Sequence, residues 1–253
     1  MLIMAEKYLI LDFDGTITTI KKGKIMRIKN SIINYLTKDL GISYRRVKEC
    51  YELIKSLNYV NDKYTNESEL SLIWALIDIL ENENYKIDKS RIKNIITQSL
   101  YTGSREIYSR RDVEFLNKHA NRIIIVSNSP KDLIENILKK NGVENMPTKI
   151  IDNAKKDFID DSFDKVPKYL NKYFKILLRR PCYFQILEDL RNSYEIRLVV
   201  GDMFSMDLAL PLYLGMQIVL RKRFYTPYWA KELTKKYNGK VISNIYQLET
   251  IPS

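Results

Sequence analysis

The sequence predicts an α/β protein: a Rossmann-like parallel sheet core with an all-helical subdomain inserted after its first strand. Short apolar runs recur along the chain and mostly end in polar residues, and helix-like stretches separate the later ones. That rhythm belongs to parallel βαβ units. The interval between the first run and the second has helical periodicity and no convincing strand.

The run from Tyr8 to Phe13 reads as a strand buried on both faces of a parallel sheet. Further strands are expected from Arg122 to Val126, Thr148 to Ile151, Ile196 to Val200 and Met216 to Leu220, and a final one from Lys240 to Ser243 after the Asn238-Gly239 turn. In the interval, Ile25, Ile28, Ile32, Ile33, Leu36 and Leu40 mark one amphipathic helix, which Gly41 would terminate. Val47, Tyr51, Ile54 and Leu57 mark a second. Leu70, Ile73, Trp74, Ile77 and Leu80 mark a third, capped near Thr65 or Asn66, and Ile92, Ile95, Ile96 and Leu100 a fourth before Gly103. The expected division is a core of 1–19 with 112–253 and a helical cap of 20–111.

A chain of 253 residues can bury one core and a smaller subdomain. Its 45% hydrophobic and 29% charged residues describe an ordinary soluble domain. The surplus of 42 Lys+Arg over 31 Asp+Glu favours anionic partners. Cys50 and Cys182, far apart, suggest neither a disulfide framework nor structural zinc, and a reducing cytoplasm suits them. No apolar run reaches the ~18 residues of a spanning helix, so no membrane partner is expected. The acidic segment Asp157, Asp160, Asp161, Asp164 lacks the glycine and bidentate Glu of a calcium loop and reads as a solvated helix face.

Asp12 and Asp14 follow the first strand, where α/β sheets bind their ligands. A second acidic pair, Asp202 and Asp207, follows the Ile196–Val200 run. If the two strands are adjacent, these carboxylates meet at one sheet edge, and a divalent cation relieves their repulsion. Hard oxygen donors without nearby His or Cys favour magnesium, and magnesium suggests phosphate. Ser127 and Asn128 end another strand near a helix start, a place for a phosphate nest. Arg179-Arg180-Pro181 adds cations ahead of Gly201-Asp202.

In this order the motifs resemble the haloacid-dehalogenase-like hydrolases, the superfamily of aspartate-nucleophile phosphatases, over roughly residues 5 to 19 and 112 to 253. The insert falls where that family carries its first-type cap. The resemblance implies that Asp12 attacks phosphorus and that Asp14 serves as acid and then base. It implies Mg²⁺ held by Asp12, the Asp14 carbonyl and Asp202, with Asp207 nearby. It implies phosphate binding by Thr16, Ser127 and Asn128, and by Arg180, which stands where the family usually has lysine, with Lys175 and Arg179 as substitutes. An acid at position 14 resembles phosphatases and phosphomutases rather than dehalogenases.

The leading expectation is a Mg²⁺-dependent phosphatase acting on a small phosphorylated metabolite. Alternatives are a phosphomutase of the beta-phosphoglucomutase type and a nucleic-acid-binding or nucleic-acid-end phosphatase. The charge and the cation-aromatic run from Leu220 to Trp229 motivate the last. Lys24, Arg27, Arg45 and Arg46 are candidate substrate contacts in the cap.

Overall fold

The computed structural model describes residues 7–19, 22–57, 59–61, 64–101, 105–171 and 175–252. They divide into two compact units, Met1–Thr19 with Arg105–Ser253, and Ile20–Ser104.

The first unit is built on six strands: β1 (Lys7–Leu11), β2 (Ile123–Val126), β3 (Lys149–Ile151), β4 (Glu195–Gly201), β5 (Ile218–Arg221) and β6 (Lys240–Ile242). They lie in the order β3-β2-β1-β4-β5-β6, and every pairing is parallel. This is a doubly wound sheet: the chain steps outward from β1 on one side and then returns to build the other. The crevice at the carboxyl ends of β1 and β4 is the resulting switch point, where such sheets bind ligands.

The central strands are apolar because both their faces are covered. Leu9, Leu11, Ile123, Ile125, Leu198 and Val200 pack with Phe115, Leu116, Ile134 and Leu138 of the helices Arg110–His119 and Lys131–Lys140. The helix Arg110–His119 starts at Ser109, whose Oγ accepts a hydrogen bond from Asp112 N.

The crossover from the insert comes earlier than the expected 112. Thr18–Thr19 pairs antiparallel with Glu106–Ile107, so the chain rejoins the first unit at Arg105. A pair of two-residue strands is too short to leave a periodic signal. The acidic segment also differs from expectation. Residues 152–171 form turns and bends rather than a helix, Asp160 accepts from Ser162 N and Oγ, and Asp161 pairs with Lys168.

The second unit carries the helices Lys22–Asn34, Tyr44–Ser56, Glu69–Asn82 and Lys89–Tyr101 around a cluster that includes Ile28, Ile32, Leu36, Val47, Ile54, Ile73, Leu76, Ile77 and Ile92. Its third helix is capped by Ser68, beyond Thr65 and Asn66. Among the described residues the unit is helical apart from one short antiparallel pair, Tyr59–Asn61 with Tyr64–Thr65. Gly103 lies outside the described residues. Arg45 and Arg46 pair with Glu49 and Glu83 inside the unit. Among the described residues, no helix is long and apolar enough to cross a membrane.

Ile125 sits in the middle of this packing with no exposed surface. Ile125→Ala should cost about 2–5 kcal/mol. Urea unfolding would show this as a lower midpoint at unchanged slope, and an unchanged midpoint would contradict the packing described.

Candidate active site

Asp12 leaves the sheet directly after β1 and keeps one more ladder bond, from its N–H to the Val200 carbonyl at 2.9 Å. The chain then turns sharply, with the N–H groups of Ile17 and Thr18 both donating to the Phe13 carbonyl at 3.0 Å. Gly15 has φ +95°, and a Cβ there would overlap the Asp202 carboxylate. A Cβ on Gly201, the last residue of β4, would overlap Asp207. Each glycine thus lets an acidic side chain lie against backbone.

Asp207 lies in a π-helical turn, Phe204–Leu208, a distortion that recurs at functional sites. Its Oδ2 accepts from Met203 N at 3.0 Å, and its carbonyl accepts from the Tyr183 hydroxyl at 2.9 Å. Asp12, Asp202 and Asp207 are all buried, and each offers an oxygen within 4.8 Å of the others.

Lys156 stands among them. Its Nζ donates to Asp12 Oδ1 at 2.6 Å and to Asp207 Oδ1 at 2.5 Å, and the residue is 2% exposed. Burial opposes its charge, but Asp12 and Asp207 outweigh burial and hold the ammonium above its ordinary pKa. Burial, with Asp207 and Asp14 beside it, outweighs the pull of Lys156 and leaves the Asp12 carboxyl raised to about 7. Asp202 is raised well above the carboxylate range by burial, Asp207 and Asp12. One ammonium does not neutralise three buried carboxylates, and an all-oxygen donor set of this size suits a hard divalent cation.

Asp14 is held from two sides: Oδ1 accepts from Arg105 and Oδ2 from Ser129 Oγ. Thr16 is fully buried, and its hydroxyl has no hydrogen-bond partner among the described residues. At the end of β2, Ser127 Oγ accepts from Ser129 N at 3.1 Å. The exposed Asn128 is a brace, its Oδ1 accepting from Lys156 N at 2.9 Å and its Nδ2 donating to Asp157 at 3.0 Å. Ala154 N donates to the Ser127 carbonyl at 3.0 Å, so the segments after β2 and β3 are stitched together.

The structure therefore brings Asp12, Asp14, Thr16, Ser127, Asn128, Asp202 and Asp207 to one sheet edge. The buried Arg180 guanidinium donates to the Lys156 carbonyl. The cation in contact with Asp12 and Asp207 comes from the loop after β3, where Asn153 and Lys155 take positive φ of 47° and 48° just ahead of Lys156. Arg105 carries no sequence signal, whereas Arg223 and Tyr225 fall within the cation-aromatic run from Leu220 to Trp229. The Tyr225 hydroxyl donates to Asp202 Oδ2, and Arg223 Nε lies 4.0 Å from the same oxygen. Burial and Asp202 push the Tyr225 phenol well above its ordinary range, so it stays a neutral donor.

No family model matches the sequence. No curated protein matches it either. Solved structures do. A candidate beta-phosphoglucomutase from Thermotoga maritima aligns over 98% of this chain and 100% of its own, with 13% identity and a TM-score of 0.53. A candidate phosphoglycolate phosphatase from Haemophilus somnus (96% of each chain, 14% identity) and a haloacid-dehalogenase-type hydrolase from Bacillus subtilis bound to magnesium (96% and 97%, 14% identity) both align with a TM-score of 0.50. The likeness is one of fold, and the chain has the haloacid-dehalogenase-like fold that its motifs resemble.

The raised Asp12 pKa has a signed consequence for the metal-free protein. The unfolded chain releases this proton near pH ~4 and the folded chain near 7, so the folded state binds more protons between these values. Asp12 should therefore subtract stability as pH rises from about 4 to about 7. Melting curves in EDTA across that range should fall less for Asp12→Asn than for the wild type, and parallel falls would refute the shift.

Proposed function

We propose that this chain is a Mg²⁺-dependent phosphatase that hydrolyses a small phosphomonoester through an aspartyl-phosphate on Asp12. The observation that carries the reading is the buried contact of Lys156 with Asp12 and Asp207, beside Asp202, at the switch point of the sheet. A site built to hold so much negative charge next to a fixed cation suits a reaction in which anions approach one another.

Asp12, Asp202, the Asp14 carbonyl and, at closer or longer range, Asp207 would hold the magnesium ion. The ion supplies Lewis-acid stabilisation of the transferring phosphoryl oxygens and screens substrate from nucleophile. Lys156 orients Asp12 through Oδ1. Two of its three ammonium N–H groups are engaged with carboxylates, which leaves one for a phosphoryl oxygen. Ser127 accepts from Ser129 N, so its own proton is free to donate to the same group. The unpartnered Thr16 hydroxyl is a further donor in this cradle. Arg180, which donates to the Lys156 carbonyl, braces the loop that carries Lys156.

In the first step an Asp12 oxygen attacks phosphorus, the bond to the leaving oxygen breaks, and Asp14 gives that oxygen a proton. In the second, water attacks the acyl phosphate, Asp14 takes the water's proton, and Asp12 and inorganic phosphate separate. Arg105 and Ser129 fix the direction of Asp14 during both.

The protein should hydrolyse p-nitrophenyl phosphate with Mg²⁺ and not after chelation. Asp12→Asn should lower turnover by more than ~10³-fold, and Lys156→Met by about 10²–10³-fold. Wild-type turnover in Asp12→Asn would overturn the nucleophile assignment.

A further inference from the structure

The loop after β5 is a cation-aromatic run, yet its arginines point into the protein. Arg221, the last residue of β5, is fully buried, and its Nε donates to the Ser243 carbonyl at 3.2 Å. Arg223 is buried too, and its Nη2 donates to the Thr18 carbonyl at 2.8 Å. Both guanidinium groups lie over the Tyr108 ring, 3.9 and 4.3 Å from its centroid. Between them and the next helix the backbone closes a tight turn: Arg223 N donates to Thr226 Oγ1 at 2.7 Å, and Thr226 N to the Arg223 carbonyl at 3.2 Å. The turn is therefore fixed at both ends, and it delivers the Tyr225 hydroxyl to Asp202 Oδ2. Phe224 meets the Tyr225 ring edge-on, with centroids 4.9 Å apart.

Asp202 needs such a hold. Asp12 and Asp207 repel it, and the Gly15 backbone packs against it on another side. A donor on Oδ2 opposes the repulsion and sets the plane of the carboxylate. A phenol does this without adding positive charge, so it does not compete with a cation for the ligand as a guanidinium in direct contact would. Carboxylates that ligate metals are commonly oriented by outer hydrogen bonds of this kind.

We propose that Tyr225 is a positioning residue of the cation centre, holding Asp202 by Oδ2 in the orientation in which it meets Mg²⁺. The proposal rests on Asp202 being a magnesium ligand, and the test separates the two claims. Magnesium chloride is titrated calorimetrically into the full chain as wild type, Tyr225→Phe and Asp202→Asn, and melting temperatures are taken in EDTA. Tyr225→Phe should weaken Mg²⁺ binding by about 10–100-fold with an unchanged metal-free melting temperature. The Mg²⁺ concentration for half-maximal phosphatase activity should rise by a similar factor, with kcat recovered at saturating Mg²⁺. Wild-type affinity in Tyr225→Phe, with binding lost in Asp202→Asn, overturns the positioning role and leaves the phosphatase reading standing, and so does a lowered metal-free melting temperature at unchanged affinity. Undiminished binding in Asp202→Asn overturns both.

Discussion

Repulsion among carboxylates at the ends of β1 and β4 is the constraint on which the rest of the centre depends. Parallel pairing of adjacent strands places Asp12 and Asp202 side by side, and the π-helical turn adds Asp207. Each such group, taken from water without a partner, would cost several kcal/mol. The surrounding residues answer that cost in different ways. Lys156 supplies charge, Tyr225 a neutral donor, Arg105 and Ser129 secure Asp14, and two glycines remove the side chains that would keep the acids from the backbone. What remains uncompensated is anionic, a charge that a bound divalent cation would relieve.

The basic excess of the chain looks different once its positions are known. Arg105, Lys156, Arg180, Arg221 and Arg223 are all buried. Each faces a carboxylate, a carbonyl or an aromatic ring within the first unit. Part of the net charge therefore serves internal neutralisation rather than the surface. Burial pulls the Arg221 guanidinium down to about 10, against the attraction of Asp112 and Asp202. Even so it stays charged near neutral pH, because an arginine starts from so high a value.

The sheet was legible because strands buried on both faces must be apolar along their whole length, and runs such as Ile123-Ile124-Ile125-Val126 have no other economical reading. The acidic residues were legible because they follow such strands directly. Lys156 was not. Its position comes from Asn128 Oδ1 and Ser127 O, residues that are distant in sequence, and from left-handed backbone at Asn153 and Lys155 that no periodicity announces. The acidic residues just beyond it read as a solvated helix face, and the Arg179-Arg180 pair is the basic cluster that the sequence makes visible. Tyr225 was hidden for a related reason: an aromatic residue beside arginines reads as surface chemistry until the fold turns both inward. The strands Thr18–Thr19 and Glu106–Ile107 are simply shorter than any sequence period.

The topology also bears on the order in which the protein assembles. β1 occupies the middle of the sheet, yet its neighbours begin at Ile123 and Glu195, and the whole helical unit is synthesised between β1 and the nearer of them. The helical unit can close early on contacts from within its own stretch of chain. The strand that ends at Asp12 must meanwhile wait with its apolar edges unpaired, open to wrong partners until β2 and then β4 emerge from the ribosome. The two aspartates at its end are thus made early and become a working pair late, when translation has passed Gly201.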